Sequence, residues 1–126
     1  MEVKFYRCNR CGNIIAYVVN KGVPVMCCGE RMQELTPNTN DGATEKHVPV
    51  ITREGNIVTV KIGSVEHPMT EEHYIQWVCL QTKFGNQRKA LQPGQKPEVS
   101  FALLDGDEVE AAYAYCNLHS LWKATK

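Results

Sequence analysis

The segment YRCNRCGN, residues 6–13, offers Cys8 and Cys11 as a CxxC pair whose thiolates can grip one metal ion from a tight turn, with Gly12 free to take a positive φ. Further on, VMCCGE supplies two adjacent cysteines, Cys27 and Cys28. Neighbouring side chains on an extended backbone point in opposite directions. Bringing both sulfurs to one ion therefore requires a local kink, for which Gly29 is well placed, and distorts the tetrahedron. Three readings follow: a tetrathiolate metal site, a redox dithiol at the CxxC, or unrelated free thiols. The second is weakened because no βαβ pattern follows the motif. Spacing alone leaves iron and zinc open, since both accept four thiolates.

A second set of candidate ligands lies downstream. His47 stands in TEKHVPV directly after Glu45 and Lys46; His67 opens HPM, where Pro68 imposes an extended approach; His73 precedes a strand in MTEEHYIQW; Cys116 and His119 form a CxxH pair in YCNLHSLW. A lone histidine is more often a surface or core residue than a ligand. Here every histidine of the chain falls at a predicted strand end, where the loops of a sandwich gather. That conjunction points to a shared metal. Cys79 lies mid-strand, alternating with Ile75 and Trp77, and reads as a buried, inert thiol.

The elements that must position these groups are β-strands. IVTVKI (57–62) alternates with period two, YIQWVCLQT (74–82) is rich in aromatic and β-branched residues, and EVSFALL (98–104) puts Val99, Phe101 and Leu103 on one face. DEVEAAYAYC (107–116) has helix-favouring alanines, yet Val109, Ala111, Tyr113 and Tyr115 alternate as in a strand, and strand is the reading its neighbours favour. Turn signals REGN, FGNQ, QPGQ and LDGD separate the strands, which suggests an antiparallel sandwich or barrel. Residues 36–46, TPNTNDGATEK, read as a linker or surface loop. Residues 1–36 hold four of the cysteines and too few apolar residues for an independent core, so a metal must contribute much of that segment's stability. The expected organisation is a metal-bound domain at 1–36 and a β domain at 37–126.

Composition limits the partners. Fourteen basic and fourteen acidic residues cancel, so the chain lacks the excess positive charge of a nucleic-acid binder. The longest apolar runs fall far short of a bilayer span, and MEVKFYR has no apolar signal core. A cytoplasmic location is expected, and a reducing cytosol favours metal ligation over disulfides for the six cysteines.

EKHVP, HPM followed by EEHYI, and CNLHSLW, in this order after a CxxC and a CC pair, resemble desulfoferrodoxin, the two-iron form of superoxide reductase, over nearly the whole chain. The resemblance implies an all-β protein: a desulforedoxin-like domain with iron on Cys8, Cys11, Cys27 and Cys28, then an immunoglobulin-like sandwich. There a square-pyramidal iron takes His47, His67, His73 and His119 in its plane and Cys116 on its axis. It also implies a homodimer fed with electrons by rubredoxin or a similar donor. In this setting Lys46 would attract superoxide and Glu45 would cap the ferric iron. Four neutral imidazoles and one thiolate leave ferrous iron near a net charge of +1, which suits an incoming anion. Two other classes fit less well. A cupredoxin-like electron carrier wants an axial Met shortly after the CxxH histidine, where this chain has Trp122, Lys123 and Ala124. A zinc-stabilised binding module leaves four histidines without a purpose.

Overall fold

The structure, a computed structural model, describes residues 2–126. The chain divides into two compact units with the boundary between Thr36 and Pro37. In the first unit, β1 (Phe5–Arg7) is the centre of a three-stranded antiparallel sheet, flanked by β2 (Ile14–Ala16) and by β5 (Gln33–Glu34), while β3 (Met26–Cys27) and β4 (Glu30–Arg31) form a small hairpin. Its buried residues are Phe5, Cys8 and Met32, whereas Val18, Val19 and Val23 are exposed. So small an interior cannot offset the conformational entropy of the segment, and a bound ion must supply the difference.

The second unit is a β-sandwich. It begins with a single helical turn, α1 (Thr44–His47), and continues through β6 (Pro49–Glu54), β7 (Ile57–Ile62), β8 (Ile75–Thr82), β9 (Gly85–Ala90), β10 (Glu98–Ala102), β11 (Val109–Cys116) and β12 (Ser120–Thr125). One sheet has the order β10-β7-β6 and the other β12-β11-β8-β9, all pairs antiparallel. Val58, Val60 and Ile62 of the first sheet face Val78, Leu80, Ala112 and Ala114 of the second, with Phe101 and Leu103 closing the core. Among the described residues no helix is long and apolar enough to cross a membrane.

The strands expected at 57–62, 74–82, 98–104 and 107–116 are present, trimmed by one or two residues at some ends. Alanine-rich β11 is a strand because it is the interior strand between β8 and β12, where small side chains let two sheets approach. Two expectations need correction. The segment 36–46 is not wholly loop, since its last residues wind into α1. Cys79 does not share a face with Ile75: the β8–β11 register shifts between Tyr115 and Cys116, so Ile75 joins Val78 and Leu80 in the core while Cys79 pairs with Tyr113 on the opposite face. A bulge that inserts one residue reverses the alternation beyond it. Cys79 is nonetheless buried, and burial pushes its thiol up to about 11, so it stays protonated and unreactive.

At the end of the sandwich that carries the β8–β9 and β10–β11 turns, Asp107 acts as a staple. Its carboxylate accepts hydrogen bonds from the Thr82 hydroxyl (2.8 Å) and from the backbone N–H groups of Phe84 (3.0 Å) and Glu108 (2.9 Å). Burial acts to raise its pKa, but these donors and the nearby Arg53 guanidinium outweigh it and hold the group below the usual carboxylate range. A carboxylate lowered on folding contributes stability above its unfolded-state pKa of about 3.9, and that contribution is lost as pH falls through the folded-state value. Asp107→Asn is therefore expected to lower the unfolding midpoint at neutral pH, with the gap to wild type closing below about pH 4. Paired thermal melts of the two proteins across pH 3 to 7 check this.

Candidate metal centres

The sulfur cluster of the first unit is built by two turns. Cys8 and Cys11 lie on the turn after β1, closed by the Gly12 N–H to Cys8 carbonyl bond (3.0 Å), with Gly12 at φ +84°. The kink required at the adjacent cysteines is made by two left-handed residues, Cys28 at φ 53° and Gly29 at φ 74°. A non-glycine residue in that region is uncommon and marks a backbone held there by its surroundings. The four sulfurs lie within 4.8 Å of one another. Cys11 and Cys27 sulfurs are 3.6 Å apart, close to the ~3.8 Å edge of a tetrahedron with metal–sulfur distances of about 2.3 Å. Backbone N–H groups of Cys11 and Arg10 stabilise the Cys8 thiolate and bring its pKa down to about 6, whereas Cys28, sharing protons with Cys11 and Cys8, is pushed up to about 12. The site thus has one ready thiolate and needs a cation to bring the set to full charge.

In the second unit, four imidazoles form a square. Ring centroids are separated by 4.6 Å between His47 and His67, 4.7 Å between His67 and His73, 5.1 Å between His73 and His119, and 4.8 Å between His119 and His47. Neighbouring rings stand at 69° to 86° to each other, and the diagonal from His47 to His73 is 6.3 Å. Cys116, fully buried at the end of β11, brings its sulfur within 4.8 Å of the ligand nitrogens of His47, His67 and His73 and 3.9 Å from His119 Nδ1. The square and its thiol come from separate segments: α1, the loop between β7 and β8, the last residue of β11 and the β11–β12 turn.

The ring nitrogens show what the centre is for. His47 Nδ1 is 2.7 Å from the Ala43 carbonyl, and His67 Nδ1 is 2.6 Å from the Pro68 carbonyl. A carbonyl only accepts, so each Nδ1 carries the proton and each Nε2 presents a lone pair. Those two Nε2 atoms lie 3.1 Å apart, where two lone pairs repel and a cation between them would bind both. Adjacent nitrogens at right angles around a metal at about 2.1 Å stand about 3.0 Å apart. His73 Nε2 is the one buried side-chain nitrogen or oxygen without a hydrogen-bond partner among the described residues. Burial, followed by the other histidines, lowers the pKa of His67 to about 4, and burial likewise lowers His47 and His73. At neutral pH the imidazoles of His47, His67 and His73 are therefore uncharged donors. Burial raises Cys116, opposed by N–H groups of Leu118 and His119. The donor set, four imidazoles and one cysteine sulfur, fits a mid-to-late first-row metal.

Several positioning residues are not singled out by ligand type or spacing, although Asn117 and Trp122 lie within CNLHSLW. Trp122 stacks on the His47 ring (4.8 Å, 28°) and donates from Nε1 to the His119 carbonyl (2.9 Å). Asn117 joins the two ligand loops, accepting from Tyr74 N–H (2.9 Å) and donating to the Glu72 carbonyl (2.9 Å). Gly42 touches the His119 ring so closely that an added Cβ would sit 2.8 Å from its Cγ. These groups orient the ligand rings in the way carbonyls and amides support histidine ligands generally.

Glu45 and Lys46 are exposed on α1, beside buried His47. Lys46 lines a cleft of about 520 Å³ with Glu66, His67, Met69 and Lys96, and its charge is felt at His73. The Glu45 carboxylate acts on His47 through its charge, while its backbone carbonyl accepts from Val65 N–H (2.9 Å) and the Ser64 hydroxyl (3.3 Å).

The desulfoferrodoxin family pattern matches residues 39–125. The desulfoferrodoxin of Nitratidesulfovibrio vulgaris is 44% identical over 123 residues, covering 98% of this chain and 96% of that protein. Among solved structures, the superoxide reductase from Treponema pallidum superposes with a TM-score of 0.84 at 42% identity, covering 99% of this chain and all of the other. A one-iron superoxide reductase from Giardia intestinalis matches 65% of this chain at 39% identity with a TM-score of 0.56. With its pattern, its fold and its two ligand clusters in agreement, the chain belongs to the desulfoferrodoxin family.

Proposed function

We propose that the four-histidine, one-cysteine centre is a superoxide reductase site that converts superoxide to hydrogen peroxide without releasing dioxygen. The observation that carries this reading is the asymmetry of the square. Its thiol side is closed by the core, and Lys46 and the cleft lie beside His67 on the exposed rim. His47, His67, His73, His119 and Cys116 would hold an iron ion, which in its ferrous state would supply the one electron that, with two protons, turns superoxide into hydrogen peroxide. The chain's own residues do the rest. Four imidazole nitrogens and one thiolate would leave a ferrous centre low but positive in charge, so an anion is drawn in and a neutral molecule is not. Cys116, kept from water, would hold the iron as a thiolate and raise its electron density. Lys46 concentrates the small anion at the rim, where a unit charge at ~4 Å is worth ~1 to 4 kcal/mol depending on screening. Glu45 supplies a hard carboxylate suited to the ferric state.

Cys8, Cys11, Cys27 and Cys28 would hold a second, tetrathiolate iron, and Cys11 and Cys28 at the surface suit electron entry from a small rubredoxin-like carrier. Free cysteines throughout the described chain suit a reducing, cytoplasmic setting, and the exposed valines of the first unit suit pairing with a second copy.

Three outcomes are expected. Superoxide added to the reduced protein, purified with about two irons per chain, yields peroxide and no oxygen; oxygen evolution measured at an electrode would identify a dismutase instead. Lys46→Ala lowers the second-order rate of superoxide capture by about ten-fold at low ionic strength, and the difference shrinks as salt screens the charge. Pulse-radiolysis rates over a salt series decide that point. Glu45→Ala changes the visible spectrum of the oxidised protein more than the capture rate, and identical oxidised spectra would remove the carboxylate from the ferric site.

A further inference from the structure

α1 carries Glu45, Lys46 and His47 on one turn, too short to hold itself in place. Its fixed point is the loop that follows β7. Gly63 N–H donates to the Val48 carbonyl (3.2 Å), Val65 N–H and the Ser64 hydroxyl donate to the Glu45 carbonyl, and His67 N–H returns to the Ile62 carbonyl (3.4 Å). Gly63 itself sits at φ +86° in direct contact with the backbone of Lys46. A Cβ built on it would lie 2.7 Å from both the carbonyl carbon and the carbonyl oxygen of Lys46, and 2.3 Å from the Val65 carbonyl oxygen. These are backbone atoms, so the clash cannot be relieved by turning a side chain. Another glycine separates the two demands. Gly55, in the β6–β7 turn, also has a left-handed φ of +60°, but an added Cβ there would meet nothing within 4 Å.

We infer that Gly63 is a positioning residue for superoxide capture: its lack of a side chain lets the β7–β8 loop close on α1 and fixes where Lys46 and Glu45 stand relative to the four-histidine centre. The inference rests on the capture role proposed for Lys46. A methyl group at position 63 pushes the Lys46 backbone away from the loop and loosens the hydrogen bonds to Glu45 and Val48. The Lys46 ammonium then samples a wider volume and loses its bias toward the cleft.

The test compares Gly63→Ala with Gly55→Ala in the iron-loaded protein, by amide hydrogen exchange of residues 44–48 and by superoxide capture at low salt. The expected result is faster exchange of 44–48 in Gly63→Ala alone. Capture falls several-fold toward the Lys46→Ala rate, and in a Lys46→Ala background Gly63→Ala has little further effect. Exchange and capture in Gly63→Ala that match Gly55→Ala would overturn the inference, as would a capture loss that adds in full to that of Lys46→Ala. Lys46→Ala alone reports on the capture role, whereas the exchange rates report on Gly63 whether or not superoxide is the substrate. Should Gly63→Ala fail to retain iron, Ser64→Ala removes one donor to the Glu45 carbonyl without altering the backbone. Faster exchange of 44–48 supports the clamp, and unchanged exchange overturns it.

Discussion

Two backbone carbonyls decide what the second unit can be. By accepting hydrogen bonds from Nδ1–H of His47 and His67, Ala43 and Pro68 turn two Nε2 lone pairs toward each other at 3.1 Å. Add the unpartnered His73 Nε2, and the centre holds three buried nitrogens that cannot satisfy one another. An unsatisfied buried group costs about 1 to 3 kcal/mol, so such a cluster is tolerable only where a cation repays it. Metal binding and the folding of the loop end are thereby one equilibrium. The same logic governs the first unit, whose few buried apolar residues leave the four sulfurs and their ion as its principal source of cohesion.

Much of the remaining structure serves this convergence. A sandwich gathers its loops at its ends, and here the ligands reach the centre from α1, from the β7–β8 loop and from both sides of the β11–β12 turn. Loops are the least constrained parts of a fold, so each must be tied. Asn117 ties the His73 loop to the Cys116 turn, Trp122 locks His47 against β12, and the residues after β7 bracket α1. Ser120 pays for the tightness of the last turn, standing at φ 64° between His119 and Leu121. The strain sits beside a ligand, where surrounding contacts over-determine the backbone.

Ligand types and their order along the chain were legible because metal chemistry restricts them to cysteine and histidine, and the apolar alternation of 57–62 and 98–104 announced its strands. Edge strand β9, GNQRKA, was not legible as a strand: it is exposed along its whole length and polar enough to read as a turn, and only its pairing with β8 makes it extended. The face of Cys79 was hidden by a bulge, which no alternation count reveals. Gly42, Gly63 and Asn117 were hidden for another reason. Their importance lies in contacts with residues far away in the chain: Gly42 with His119, Gly63 with Lys46, Asn117 with Glu72 and Tyr74. Spacing within a motif carries no trace of such partners.

The centre's two faces differ in the property that matters for an anion. Cys116 sits in the hydrophobic core with Val78, Leu80 and Ala114, so its side admits neither water nor substrate. The cleft beside His67 is lined by Lys46, Lys96 and Glu66, a polar approach in which Lys96 pairs with Glu98 (3.6 Å). Exposed cations are individually weak because water screens them, but an ion arriving at the rim of a low-dielectric wall feels them more strongly than at an open surface. On the proposed reading, direction comes from the fold and attraction from the charge. A Cys116 thiolate on the closed side would raise electron density at a bound metal while leaving the cleft side to the anion. The wall that shields Cys116 from water also raises its pKa, so the proton it gives up on binding iron ties the site's occupancy to pH as well as to iron.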